Sequence, residues 1–415
     1  MILTFYNIKA IISELDKENL YLFQNHKSEI IMNHFDYKSN INKKEIITKD
    51  CNGEFDVTLI DNSLYVIYQD LLRNLNLSII NGNDIRNMSM TEEPIERIYE
   101  LNIFNNDNQL NMVYLKSLGE KKYRIIHNYV EGDSWVSQNV MDVQIDQAIN
   151  PMKIIKIDKI FILCFYNGNE VCIKELNSIN SEWAETIVLS EPNSKKLYLD
   201  MIKIENNLHL VYSQFQNNNY VIIYERHSYN NGAIRKDFEK VISNESNCTN
   251  PTLILYDDKI WVVWNESNRL YSRHSGDGGN IWSSIHYWKE SIAQELIRYK
   301  YLKENDELDF RFDFSFGTLN PEIKFVGFGP LENVEEINDK KKTGNGIIEI
   351  SDIDYIEKED IKFIEPLKRS EEMESKIELL EEDLIKSINK IRLIEDFLLK
   401  NTRGHYEQAI KKQID

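Results

Sequence analysis

Apolar runs return at a steady interval along the first 330 residues, bounded by Asn, Asp, Gly and charged positions. Their first apolar residues are Leu20, Leu64, Leu110, Ile160, Leu208, Ile260 and Leu308, with neighbouring anchors 44 to 52 positions apart. From these read Leu20-Tyr21-Leu22-Phe23, Leu64-Tyr65-Val66-Ile67-Tyr68, Leu110-Asn111-Met112-Val113-Tyr114 and Leu208-His209-Leu210-Val211-Tyr212. Ile260-Trp261-Val262-Val263-Trp264 and Leu308-Asp309-Phe310-Arg311-Phe312 continue the series. β-Branched and aromatic runs with such boundaries predict strands. The repeat length falls in the range of propeller blades, so seven anchors predict a seven-bladed β-propeller over residues 1–330.

Internal matches support this periodicity. Asn150-Pro151 and Asn250-Pro251 each open a unit, and Asp158-Lys159-Ile160 repeats as Asp258-Lys259-Ile260 two units later. Tyr224, Arg226, His227 and Ser228 match Tyr271, Arg273, His274 and Ser275 in the next unit. Each unit has room for four strands. In the sixth they are expected at Thr252 to Tyr256, Ile260 to Trp264, Arg269 to His274 and Trp282 to Tyr287. The last unit shows three, and the spare strand-like run Ile2 to Ile8 is expected to complete it, removing an open edge. Ile347 to Ile356 competes for that place.

The pattern changes after Pro330. Residues 331–369 read as a charged, acidic linker with a turn at Thr343-Gly344-Asn345-Gly346, and Pro366 precedes a helical run. In residues 370–415 a heptad places Ile377, Leu384, Ile391 and Leu398 at a, and Met373, Leu380, Ser387 and Ile394 at d. This predicts a coiled-coil helix and a homo-oligomer, with Ser387 weakening the seam or fixing its register. Ile385, Ile388 and Phe397 widen the stripe and support the alternative of a helix docked on its own propeller. The acidic first half of the helix disfavours a membrane-surface role.

A net charge of -19 without a basic stripe argues against nucleic acid and anionic membranes as partners. The abundance of Asn, Ile and Lys fits an AT-rich bacterial genome. Cys51, Cys164, Cys172 and Cys248 show no CxxC spacing. Cys164, inside an apolar run, reads as a buried thiol, and a Cys164–Cys172 bridge across a hairpin is the competing expectation. Neither a signal peptide nor an apolar run of membrane-spanning length is visible, so a cytoplasmic location is expected.

One short segment carries a family resemblance. Ser275-Gly276-Asp277-Gly278-Gly279-Asn280-Ile281-Trp282 fits S-x-D-x-G-x-x-W, the Asp-box or bacterial neuraminidase repeat, between strands three and four of the sixth unit. The chain thus resembles the sialidase-like propeller superfamily. Ser228-x-Asn230-x-Gly232 and Gly132-x-x-Trp135 are degenerate copies, and Trp183 keeps only the aromatic. The logic of the box is structural. A short carboxylate caps backbone amides, Gly279 takes a positive φ, and Trp282 carries apolar surface between blades. Asp277 is therefore expected to hold buried partners rather than perform catalysis.

The resemblance implies fold more than activity. Sialidases of this superfamily hold a substrate carboxylate with three arginines, the first in a Phe/Tyr-Arg-Ile-Pro motif near the chain start. Here the first arginine is Arg73, and Arg124, Arg226, Arg273 and Arg311 fall inside strand runs. No GxSxG, HExxH, P-loop or GxGxxG is present. No catalytic, cofactor-binding or metal-ligating residue is singled out. The reading is a non-enzymatic binding or scaffold protein that presents a propeller face to a glycan or protein and is oligomerised by its C-terminal helix. The alternative is a sialidase-like glycoside hydrolase acting at the central mouth.

Overall fold

The computed structural model describes residues 9–337 apart from Lys17, Ser39, Asn40, Asp133, Asp158, Asn231, 293–295, 304–309, 320–322 and Asn333. The strand expected at Ile2 to Ile8, the anchor Leu308 and the heptad seam from Met373 to Leu398 lie outside the described residues.

The described residues are all-β with one short 3-10 turn at Lys289–Ile292. The first meander is β1 Ala10–Glu14, β2 Asn19–His26, β3 Glu29–Asp36 and β4 Ile41–Thr48. The second is β5 Cys51–Ile60, β6 Ser63–Asp70, β7 Leu75–Asn81 and β8 Asp84–Ser89. The third is β9 Ile98–Asn106, β10 Gln109–Gly119, β11 Lys122–Glu131 and β12 Ser134–Gln144. The fourth has β13 Met152–Ile157, β14 Ile160–Asn167 and β15 Glu170–Asn177, edged by the short β16 Glu182–Trp183 and β17 Ile187–Val188. The fifth is β18 Lys196–Ile204, β19 Asn207–Gln216, β20 Asn219–Asn230 and β21 Ala233–Val241. The sixth is β22 Cys248–Tyr256, β23 Lys259–Glu266, β24 Arg269–Ser275 and β25 Ile285–Trp288. Then follow β26 Ile297–Lys303, β27 Phe310–Arg311, β28 Phe314–Thr318, β29 Lys324–Val326 and β30 Val334–Ile337.

Tight turns explain the strand order. Asp61-Asn62, Asp107-Asn108, Asn217-Asn218, Asp257-Asp258 and Ser267-Asn268 all take positive φ at both positions, the twist-matched geometry of two-residue hairpins. Asn and Asp tolerate that conformation better than other side chains. The Asn-rich composition therefore has a structural use.

Apolar clusters join each meander to the next. Ile162, Cys164 and Tyr166 of the fourth pack on Leu208, Leu210 and Tyr212 of the fifth, and Trp264 and Ile285 of the sixth pack with Tyr224 of the fifth. The circuit closes where β26 pairs in parallel with β1, making one seven-stranded sheet from β29 to β4. Phe312, Phe316 and Val326 also cover Trp261 and Val263 of the sixth sheet. Burial falls from the second strands outward: β14 is almost wholly buried, whereas β21 is mostly exposed. The arrangement is that of a propeller-like ring of radiating sheets. β30 adds a fifth strand to the outer edge of the sixth meander, antiparallel to β25.

Two expectations change. Cys164 and Cys172 are free thiols whose strand partners are Ile173 and Phe165, which puts them on opposite faces of the fourth sheet. The match between Tyr224–Ser228 and Tyr271–Ser275 is not a match of position. Leu208 lies opposite His227, but its counterpart Ile260 lies opposite Ser275. A one-residue offset turns each side chain to the other face. His227 thus faces the fourth sheet, and His274 stacks on Trp261 on the far side of its own.

Candidate functional site: the mouth of the ring

The hairpin Ser275–Trp282 ties the fifth and sixth sheets at their periphery. Ser275 Oγ donates to Asp277 Oδ1 at 2.8 Å and accepts the Gly279 amide at 2.9 Å. Asp277 Oδ1 accepts the amides of Asn280 and Ile281 at 3.1 and 2.9 Å. These bonds, led by the Ile281 amide, hold the Asp277 carboxyl below its usual range. Trp282 lies edge-on to Tyr224 at 4.7 Å, and Arg226 of the fifth sheet donates to Gly278 O at 2.8 Å. Gly279 has φ +90°, and a Cβ there would meet Tyr224 Oη at 1.8 Å. Ser275 and Trp282 are buried, but Asp277 is exposed. Asp277 thus holds one buried partner, Ser275, while its own carboxylate and its other partners, the Asn280 and Ile281 amides, belong to exposed residues.

At the ring's centre a second periodicity appears. Gly53, Glu100, Asn150, Tyr198 and Asn250, spaced 47 to 52 positions apart, all have positive φ near the start of the first strand of successive sheets. Register shifts mark bulges at Gly53, Glu100, Tyr198 and Asn250. Such bulges re-aim side chains, here toward the axis. Sequence reasoning missed this ring, although Asn150-Pro151 and Asn250-Pro251 are two of its members.

Carboxylates beside the bulges stitch one first strand to the next. Glu54 accepts the Leu101 amide at 3.4 Å, and Asp56 the Ile103 amide at 2.8 Å. Glu100 accepts the Asn150 amide at 3.2 Å, and Asp200 the Leu253 amide at 2.9 Å. Lysines bridge the axis. Lys300 on β26 meets Asp56 at 2.7 Å, and Lys153 on β13 meets Asp313 at 2.5 Å and Asp200 at 3.5 Å. Lys9 lies 3.7 Å from Glu54. Burial and then Glu54 push Glu100 up to about 7, against the pull of Lys9, the Asn150 amide and Arg298. Burial opposes the Asp313 charge, but Lys153 outweighs it and holds this carboxyl low.

Arg298 differs from these lysines. Its Nε donates to Thr252 Oγ1 at 3.0 Å, and the guanidinium lies 4.0 Å over the Phe314 ring. Among the described residues no carboxylate oxygen lies within ion-pairing reach of it. Burial lowers its proton affinity, with Asp200 and Glu100 opposing. Tyr198, close enough to Arg298 and Tyr220 to feel both, belongs to the same rim as Phe215. Phe215 is 41% exposed and edge-on to Tyr220 at 5.3 Å.

A cluster with catalytic residue types lies elsewhere and is sealed. Tyr212 donates to Glu225 Oε1 at 2.7 Å, His227 Nε2 lies 2.8 Å from Glu225 Oε2, and Lys236 Nζ is 2.7 Å from Oε1. Tyr212, Glu225 and His227 are buried. Burial, then Glu225, push the Tyr212 phenol far up, opposite to what a nucleophile needs. The sequence arginines do not gather at the axis: Arg124 is bidentate to Asp142 near the rim, and Arg226 serves the Ser275–Trp282 hairpin. Among the described residues, no three His, Cys, Asp or Glu side chains are arranged to hold a metal ion, and no helix is long and apolar enough to cross a membrane.

No protein-family model matches the chain, and no curated protein matches it. Among solved structures it is similar to the polysaccharide lyase Uly1, with a TM-score of 0.49 and 11% identity over 75% of this chain and 90% of that one. It is similar to the SapL1 lectin in complex with alpha methyl fucoside, at 0.39 and 10% over 68% and 96%. The WD40 domain of SCAP from fission yeast gives 0.43 and 11% over 68% and 66%. At these identities and scores no function carries across.

Proposed function

We propose that this protein is a non-enzymatic binding module whose mouth, at the bulged end of the ring, takes a glycan. The observation that carries this reading is the rim of Tyr198, Phe215 and Tyr220 beside Arg298, whose Nη groups have donors to spare. Aromatic faces receive the apolar face of a sugar ring, and the guanidinium fixes its oxygens in a planar fork. The carboxylates that could do chemistry are engaged instead in stitching strands together. On this reading β26, β28 and β29 are the seventh blade of a sialidase-like propeller, and the C-terminal helix gathers several mouths for avidity.

Screening the full chain against immobilised glycans tests the proposal. A hit should be lost in Tyr198→Ala and Arg298→Gln and kept in Asp277→Ala. Binding that ignores the first two variants, or goes only to a protein ligand, refutes the glycan mouth. Replacing Leu384 and Ile391 by Asp should convert an oligomer to folded monomers in sedimentation. A monomeric wild type would remove the avidity argument.

Glu100 favours a second reading, since a carboxyl that titrates near neutrality beside Glu54 resembles a general acid with its partner. Release of product from a chromogenic glycoside, abolished by Glu100→Gln, would establish the hydrolase and end the binding-only reading.

A further inference from the structure

At the outer part of the sixth sheet two imidazoles lie parallel. The His274 and His286 ring centres are 5.2 Å apart with an interplanar angle of 9°, and Trp261 lies against His274 at 4.6 Å. Parallel rings turn their nitrogens along their own planes, so neither imidazole bonds the other. His286 is 2% exposed, yet neither of its ring nitrogens has a hydrogen-bond partner, and His274 Nδ1 is likewise unpartnered. Buried nitrogens without partners are rare enough to need a reason. A proton on this pair puts a charge where no acceptor waits, and a second sets two cations face to face. β25, which carries His286, is flanked by β24 and β30, and Glu336 of β30 lies directly opposite His286 in the ladder. β30 is four residues long and none of its side chains is fully buried, so it is the part of the cover most easily removed.

We propose that the stacked pair is a proton-operated latch on β30: neutral rings keep the strand zipped to β25, and their protonation peels it away, so that the chain leaves the ring before β30 instead of after it. Burial is the largest influence on both imidazoles and holds both below their ordinary range, His274 at about 4. On His274 the neighbouring His286 and then Lys259 add to burial, and Glu336 opposes it. On His286 Glu336 opposes burial and Arg273 adds to it. Lys259 is itself 3.5 Å from Asp257. The adjoining 3-10 turn and β29 contribute pairs that satisfy each other, Lys324 with Glu290 at 2.8 Å and Lys289 with Glu335 of β30 at 3.5 Å. Burial thus outweighs Glu336 while β30 is in place. Once the strand peels, water reaches β25 and the imidazoles return toward about 6.5. The zipped state therefore keeps its full stability above about pH 6.5 and loses it as pH falls from there toward the lower, zipped-state value. This device is independent of the mouth.

Hydrogen exchange of the full chain, followed by mass spectrometry and corrected for the intrinsic rate at each pH, tests the proposal. Protection of the Val334–Ile337 amides should fall about tenfold per pH unit for each histidine that takes a proton, hence about thirtyfold or more between pH 6.5 and 5. Amides of β14 should keep theirs. The double variant His274→Gln with His286→Phe should show no such loss. Near-ultraviolet circular dichroism at pH 7 checks the fold, and His274→Gln alone, at the more exposed ring, should already reduce the loss should the buried variant misfold. Equal protection of β30 at both pH values in the wild type overturns the latch, as does an undiminished loss in the variants. A loss shared equally by β14 overturns it too, since the whole ring would then be opening.

Discussion

The Glu225 cluster and the Glu100 mouth use the same residue types, carboxylate, cation and tyrosine, at different depths. Glu225 sits inside one sheet with a donor from each of Tyr212, His227 and Lys236. Those bonds outweigh burial and keep its carboxyl below its usual range. Glu100 sits at a bulge on the axis with one backbone donor and the charge of Glu54 beside it, and its carboxyl is raised. Full satisfaction makes a rigid inter-strand lock. Partial satisfaction leaves a group able to respond to a proton or a ligand. The Glu225 cluster has the residue types of a catalytic site, but its Tyr212, Glu225 and His227 are buried and only Lys236 is exposed, whereas Glu100 is half-buried.

The sharpest break in this contrast is Glu225→Leu. It strands the Tyr212 hydroxyl, His227 and Lys236, and should cost about 3–5 kcal/mol in denaturant unfolding. A variant as stable as wild type would show that the cluster is not a lock.

Glu100→Gln should act in the opposite sense. Because the folded pKa of about 7 exceeds the unfolded value, the folded chain holds an extra proton between those two values. Wild-type stability should therefore fall as pH rises through that window, by about 1–3 kcal/mol. Gln retains the carbonyl that accepts the Asn150 amide, so the variant should be flat there and more stable than wild type at pH 8. Urea melts at pH 5 and pH 8 decide it.

At the periphery Gly279→Ala should destabilise by about 1–3 kcal/mol, through its positive φ and the approach of Tyr224. Asp277→Ala, at an exposed carboxylate, should do less. Thermal melts that reverse this order would restore Asp277 as the anchor of the hairpin.

The anchors from Leu20 to Ile260 mark real second strands because those strands are buried on both faces, and such runs stand out against an Asn-rich background. The Ser275–Trp282 turn was legible because its residue types are dictated locally. The mouth was not, because Glu100, Lys153, Asp200 and the β26 pair Arg298 and Lys300 come from four different sheets and meet only when the ring closes. Tyr198 and Glu100 hide further, since neither residue type advertises a positive φ. The offset between His227 and His274 shows the limit of matching letters: from the fifth sheet to the sixth, the stretch from anchor to turn shortens by two residues but the stretch from turn to histidine by three, so the register moves by one while the residues still align.

The outermost strand of the six-stranded sixth sheet, β30, also has a mechanical consequence. β30 runs antiparallel to β25 through four rungs, from Trp288–Val334 to Ile285–Ile337. Tension on the chain beyond Ile337 reaches the ring first at the Ile285 rung, beside the Ser275–Trp282 hairpin. A pull across the strand would open these rungs one at a time, whereas a pull along it would shear all four together. In the first case the strand would give way as a fuse at the rim, with the axial charges and the mouth untouched.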